Sequence, residues 1–198
     1  FYLASYESNA DVIWTPTLPR EFQQRRGYRL ERFVPALFGY TIDDQETTER
    51  FLYDFRKTAS DLFVENLYRT AREVCHEHGL KICSEAGGPG PPLHHVPTED
   101  LKALGSVDVM RGEFWVDKKG QSLDDEGFDL LQVIKGIASA AHIYGHKIVE
   151  MESFTSHISW QEGPSTFKPL ADQAFVEGMN RVVYHTMTHN VPAAGTPG

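Results

Sequence analysis

Two cysteines among 198 residues, with no C-x-x-C pair, leave no room for a disulfide framework. Cys75 falls on a segment of helical periodicity and Cys83 in a short apolar run, so both read as reduced core thiols that leave the compartment open. No run of about eighteen apolar residues occurs, so no helical membrane span is expected. Cations are scarce as well. Nineteen Lys and Arg against 28 Asp and Glu give a formal charge of −9, which disfavours nucleic acid, because phosphate neutralisation needs a clustered basic surface. The one such cluster, Arg20, Arg25, Arg26, Arg29 and Arg32, reads as a solvated helix end. Nucleotide-binding signatures are missing: no G-x-G-x-x-G or P-loop follows an apolar run, and GGPG at 87–90 is interrupted and followed by prolines that lack N–H donors. Neither H-E-x-x-H nor G-x-S-x-G is present, which disfavours a catalytic zinc and a serine hydrolase elbow. An initiator Met and a signal-peptide n-region are also absent, and the last residues, AAGTPG, read as a loop. The expectation is a single partial domain over residues 1–198, truncated at both ends.

What is present is a repeated scheme. With 40% hydrophobic residues the chain can bury a substantial core. Four apolar runs each carry a glutamate at or just past the C-terminal end: FYLASYE to Glu7, LKICSE to Glu85, VDVMRGE to Glu113 and KIVEME to Glu152. Between them lie helical patterns. Pro19 and Gly27 bracket a short helix, whereas RLERFVPALFGYT shows no sustained period. Phe51, Phe55, Ala59, Leu62, Leu67, Ala71 and Val74 trace an apolar stripe along one long helix from about Glu46 to His78, with Gly79 as its stop. Two further helices read as GFDLLQVIKGIASAAHIYG and KPLADQAFVEGM, and NRVVYH resembles a last strand ending at His185. Alternating strands and helices imply an α/β fold with parallel strands. Five strands suit either a doubly wound sheet or a partial (β/α)8 TIM barrel, and the missing glycine-rich turn favours the barrel.

Carboxylates at the mouths of parallel strands suit glycoside cleavage, in which one carboxyl donates a proton and another activates water or attacks the sugar. Four candidates are therefore Glu7, Glu85, Glu113 and Glu152. Glu150 shares the alternation parity of Glu152, and a structural role is as well supported for it as catalysis. Asp108 reads as a structural polar group in preference to a sugar ligand. Trp14, Trp115 and Trp160 each follow a strand end, where an indole can stack on a sugar ring. His94, His95, His185 and His189 fall at the same face as possible hydroxyl or metal ligands, and His142, in an alanine-rich helix, reads as a packed histidine.

Several segments together resemble a known family. SYE with WTPTLPREFQQRRGY, then FVPALFGY, HGLKICSEAGGP, VDVMRGEFW, SAAHIYGHKIVEMESFTS and FKPLADQAFVEGMNRVVYHT are similar, in order and over nearly the whole chain, to the catalytic barrel of glycoside hydrolase family 106. The resemblance implies an inverting, exo-acting α-L-rhamnosidase that removes terminal rhamnose from plant polysaccharides or glycosides, with this chain as the later half of the barrel. It implies Glu7 as general acid; Glu113 is the first choice of base, with Glu152 and Glu85 behind it, while Trp14, Trp115, Trp160, His94 and His185 stand as substrate-contact candidates from their positions after strand ends, with ordinary loop packing equally open for the tryptophans. A calcium ion is implied too, its ligands unassigned, and the substrate class suggests an extracellular or periplasmic setting. One position departs from the pattern: an aspartate is expected three residues before the acid, and Ala4 stands there. Two alternatives accompany the main reading: a retaining β-glycosidase of the broader barrel class using Glu7 and Glu152, and, because of Ala4, a carbohydrate-binding homologue without catalysis. An open half-barrel is expected to be inactive and poorly stable by itself.

Overall fold

A computed structural model describes residues 1–8, 12–88, 98–116, 130–155 and 163–185. The chain divides into two compact units, Phe1–Asp108 and Val109–Gly198.

In the first unit, β1 (Tyr2–Leu3) pairs in parallel with β2 (Cys83–Ser84), Tyr2 opposite Cys83 and Leu3 opposite Ser84. Between them lies helix α1 (Leu18–Arg26), which starts with a proline in its first turn and ends at Gly27, whose φ of 82° closes it in the left-handed region. A 3₁₀ helix at Glu31–Phe38 occupies the stretch without sustained period. Helix α2 (Gln45–Phe63) follows, capped by Asp44, which accepts a hydrogen bond from the Thr47 N–H at 2.7 Å. Its buried residues Phe51 and Phe55 join Leu18, Phe22, Leu30 and Ala36 in one apolar cluster, with Phe22 edge-on to Tyr28.

The long helical stripe continues as expected, with one interruption. A π-helical turn at Val64–Arg69 joins α2 to α3 (Thr70–Glu77). The wider turn advances the buried face by a residue. Val64, Tyr68 and Cys75 are buried, while Val74, expected on the stripe, is exposed. A short helix α4 (Asp100–Leu104), for which no pattern was read, precedes the end of this unit.

The second unit holds three parallel strands, β3 (Val109–Trp115), β4 (Val149–Thr155) and β5 (Arg181–Tyr184), with β4 between the others. Helix α5 (Leu130–Tyr144) follows β3 and helix α6 (Pro164–Glu177) follows β4. Gly112 makes room for α5: a Cβ there would lie 2.8 Å from Ile137 Cγ1 and 3.2 Å from Val133 Cγ1. Residues 110, 112 and 114 of β3 thus face the helix layer, and 111 and 113 face the other way. α6 begins earlier than its periodicity suggested, because Gly163 serves as N-cap and Pro164 occupies the first turn. His142 is exposed on α5 and does not pack as expected. Both cysteines are free thiols, as expected, Cys75 buried and Cys83 partly so.

The α/β class and the parallel pairing agree with the sequence reading. The first strand differs, since it stops at Leu3 and leaves Glu7 four residues beyond it.

Candidate active site

In the first unit the short β1–β2 ladder positions two glutamates differently. Glu85 directly follows β2 and is 4% exposed. It shares the parity of Cys83, the partner of Tyr2, so the Tyr2 ring lies diagonally beside it, and the Tyr2 hydroxyl donates to Glu85 Oε1 at 2.9 Å. Glu7, by contrast, is exposed in the segment after β1, where the Ser5 hydroxyl donates to its Oε1 at 2.6 Å. Ala4, the departure from the family pattern, is exposed beside it. Trp14 is exposed ahead of α1. A cavity of about 600 Å³ in this unit is lined by Tyr6, Leu18, Arg20, Arg25, Phe63 and Leu67 among others. Neither Glu7 nor Glu85 lines it.

Nearby charges in this unit are spoken for. Arg25 pairs with Glu65 at 2.6 Å, Arg26 with Asp61 at 2.9 Å, Arg29 with Glu31 at 2.9 Å and Arg32 with Asp43 at 2.5 Å. The basic cluster is therefore an ion-paired surface. Asp108 accepts from Arg72 Nε at 3.0 Å and the Ile82 N–H at 2.9 Å, and His76 Nε2 lies 2.9 Å from its Oδ2. Burial raises the Asp108 pKa, but these donors outweigh it and hold the carboxyl below its ordinary value. This bonding ties the end of α3 to the start of β2, the structural role expected of Asp108.

In the second unit, parallel register puts Glu113 directly opposite Glu152 and Arg111 opposite Glu150, all on the face turned away from α5. Both glutamates lie within their strands, two and three residues before the strand ends, and not at the mouths as the apolar runs suggested. Trp115 likewise is the last residue of β3 instead of a loop residue. Glu150 is 5% exposed and bridges two guanidinium groups, Arg111 at 2.5 Å and Arg181 at 3.2 Å. It is thus a structural counter-ion. Glu152 retains 20% side-chain exposure, and its Oε1 lies 3.7 Å from Nδ1 of His185, which follows β5. Glu113 is 9% exposed.

One irregularity shapes this face. The register runs from Phe114 opposite Ser153 to Trp115 opposite Thr155, so Phe154 is skipped, and its φ of 67° is left-handed. This is a β-bulge built on a non-glycine residue. It brings Thr155 Oγ1 to 2.9 Å from His185 Nδ1. Sequence reading missed Thr155, and also Tyr2 and Ser5 as partners of glutamates. Ser5 had a signal in the SYE segment, but Thr155 had none, because no glycine or asparagine marks the bulge. Trp160, His94, His95 and His189 lie outside the described residues.

Calcium favours roughly six to eight oxygen ligands. Among the described residues no group of three or more His, Cys, Asp or Glu side chains is placed to hold a metal ion. No described helix is long and apolar enough to cross a membrane.

Parallel strands joined by helices, with carboxylates on one face, are compatible with the barrel frameworks on which acid/base glycoside hydrolases are built. The model of the glycoside hydrolase 106 family, alpha-L-rhamnosidase, matches residues 2–198, and the chain belongs to this family. It is similar to the solved structure of a rhamnosidase from Novosphingobium sp. PP1Y, with a TM-score of 0.74 and 33% identity over 96% of this chain and 17% of that one. A curated protein of Formosa agariphila named "Putative beta-glucuronidase" is 35% identical over 185 residues, which is 93% of this chain and 14% of that protein. The chain therefore spans less than a fifth of either relative.

Proposed function

We propose that the protein containing this chain is an inverting, exo-acting α-L-rhamnosidase that removes terminal rhamnose from plant polysaccharides or glycosides, and that the chain forms part of a (β/α)8 barrel. The observation that carries the reading is the family match over residues 2–198. Glu7 is assigned as general acid: it is exposed, and the Ser5 hydroxyl donates to it at 2.6 Å. Glu152 is assigned as the base that activates water. It keeps solvent access and has His185 beside it, which supports it ahead of the more buried Glu113, the first choice from sequence. Glu113 then lies beside the base on the neighbouring strand, and Trp14 and Trp115 offer stacking faces for the sugar.

The second relative raises a uronide as a competing substrate. A uronide carboxylate needs a cation, yet on the described face of the second unit Arg111 and Arg181 are both bound by Glu150. The family match favours the rhamnoside over the uronide. The deciding experiment measures release from an aryl α-L-rhamnoside by the full-length protein, with NMR of the first-formed sugar. Inversion is expected, and Glu7→Gln and Glu152→Gln should each lower kcat by roughly a hundredfold or more. First-formed α-rhamnose would instead indicate a retaining enzyme, and sugar binding without turnover would indicate the non-catalytic homologue.

A further inference from the structure

Regular alternation along β4 would place Phe154 on the same face as Glu150 and Glu152, with Thr155 turned toward the helix layer. The bulge exchanges them. Skipped in the register and held at φ 67°, Phe154 turns its ring into the apolar layer. There it lies edge-on to Phe114 at 5.1 Å and stacks on Phe167 at 4.7 Å and on Tyr184 at 5.8 Å. Thr155 is turned the other way, toward the carboxylates. Its carbonyl accepts from the Val116 N–H at 2.7 Å, and the His185 N–H donates to Ser153 O at 3.2 Å, so both backbones are fixed. The Thr155 hydroxyl and His185 Nδ1 are then 2.9 Å apart, and that nitrogen faces Glu152 Oε1 at 3.7 Å.

We infer that Thr155 is a positioning residue for Glu152 that acts through His185, and that the left-handed bulge at Phe154 is the device that delivers it. The inference rests on the reading of Glu152 as the base. The 2.9 Å contact is a hydrogen bond, and with Nδ1–H donating to the Thr155 hydroxyl the same protonated ring edge attracts Glu152 Oε1 across 3.7 Å. Thr155 therefore fixes the ring, and the ring fixes the orientation of the carboxylate. A left-handed phenylalanine is an uncommon conformation, and strained backbone of this kind concentrates at functional sites. Here the three aromatic contacts hold it in place.

The test uses the full-length protein and an aryl α-L-rhamnoside. Thr155→Val removes the hydroxyl at nearly constant shape, and kcat should fall between roughly tenfold and a hundredfold with little change in KM. Thr155→Ser keeps the hydroxyl and should recover most of the loss. In a His185→Gln background Thr155→Val should add no further loss, because the two residues act in series. An unchanged kcat in Thr155→Val while Glu152→Gln is inactive would overturn this inference and leave the base assignment standing. Full activity of Glu152→Gln would overturn both. Equal impairment of the valine and serine variants, or loss in KM alone, would assign Thr155 a packing or substrate-binding role and overturn the inference as well.

Discussion

Glu150 and Glu152 stand two residues apart on one face of β4, and their neighbours set them to different tasks. Glu150 is closed in by Arg111 and Arg181, whereas Glu152 keeps an exposed edge and a histidine. Removing the charge of Glu150 takes away the counter-ion that Arg111, itself 14% exposed, meets at 2.5 Å. Glu150→Gln should therefore lower stability by about 3–5 kcal/mol, read by denaturant unfolding. In the first unit Asp61 is the focus of a second network. Burial pushes its pKa up, but hydrogen bonds from Lys102 and Lys57 more than offset this and bring it down to about 2 from 3.8. A carboxyl whose pKa is lowered by folding binds its proton more readily when unfolded. Its contribution, on the order of 2 kcal/mol, is complete above about pH 4 and disappears as the pH falls toward 2. Unfolding followed from pH 5 to pH 2 should show this loss in the native sequence, and Asp61→Asn should flatten the slope. The structural role of Asp108 was the favoured reading from sequence, whereas the parity Glu150 shares with Glu152 left its role open between structure and catalysis. Partners such as Arg26 with Asp61, 35 positions apart, were not legible, since tertiary packing creates them.

At the scale of elements, the strongest periodic signals became the elements they announced, and the failures have local causes. The apolar stripe of α2 was read correctly up to residue 62, after which the π turn rotated the face and buried Tyr68 and Cys75 in place of Leu67 and Val74. The 3₁₀ helix at Glu31–Phe38 has too few turns to show a period and contains Pro35. The bulge at Phe154 lacks the residue types that normally mark one, so Glu152 was legible as a candidate while the group positioning it was not. Gly178, at the end of α6, was read only as part of a helical segment. Its φ of 118° and a would-be Cβ 2.6 Å from Ala138 Cβ on α5 make it the contact that lets the two helices meet. Gly178→Ala must both strain the backbone and displace Ala138, and should lower stability by about 1–3 kcal/mol in a thermal melt. A neutral outcome would mean that α6 shifts freely along α5.

For the whole molecule, the order of motifs carried more than any single motif: no glutamate identified the family, but their succession with the flanking segments did, and residues 2–198 match it. The charge distribution at this scale bears on substrate choice. The chain carries a formal −9, and on the described face of its second unit the two arginines are engaged by Glu150 while Glu113 and Glu152 stand opposite one another. Under the proposed rhamnosidase reading, an anionic glycoside brought close to these carboxylates would meet repulsion between like charges. A neutral rhamnoside meets no such barrier. With the same aryl leaving group, kcat/KM for the α-L-rhamnoside should exceed that for a β-uronide by at least about a hundredfold. The neutral substrate should also be nearly indifferent to added salt, whereas any residual uronide cleavage should rise as salt shortens the screening length from about 10 Å at 0.1 M. Equal turnover of the two substrates, or uronide cleavage that falls with salt, would place a cation at the sugar site and reverse the assignment to a neutral sugar.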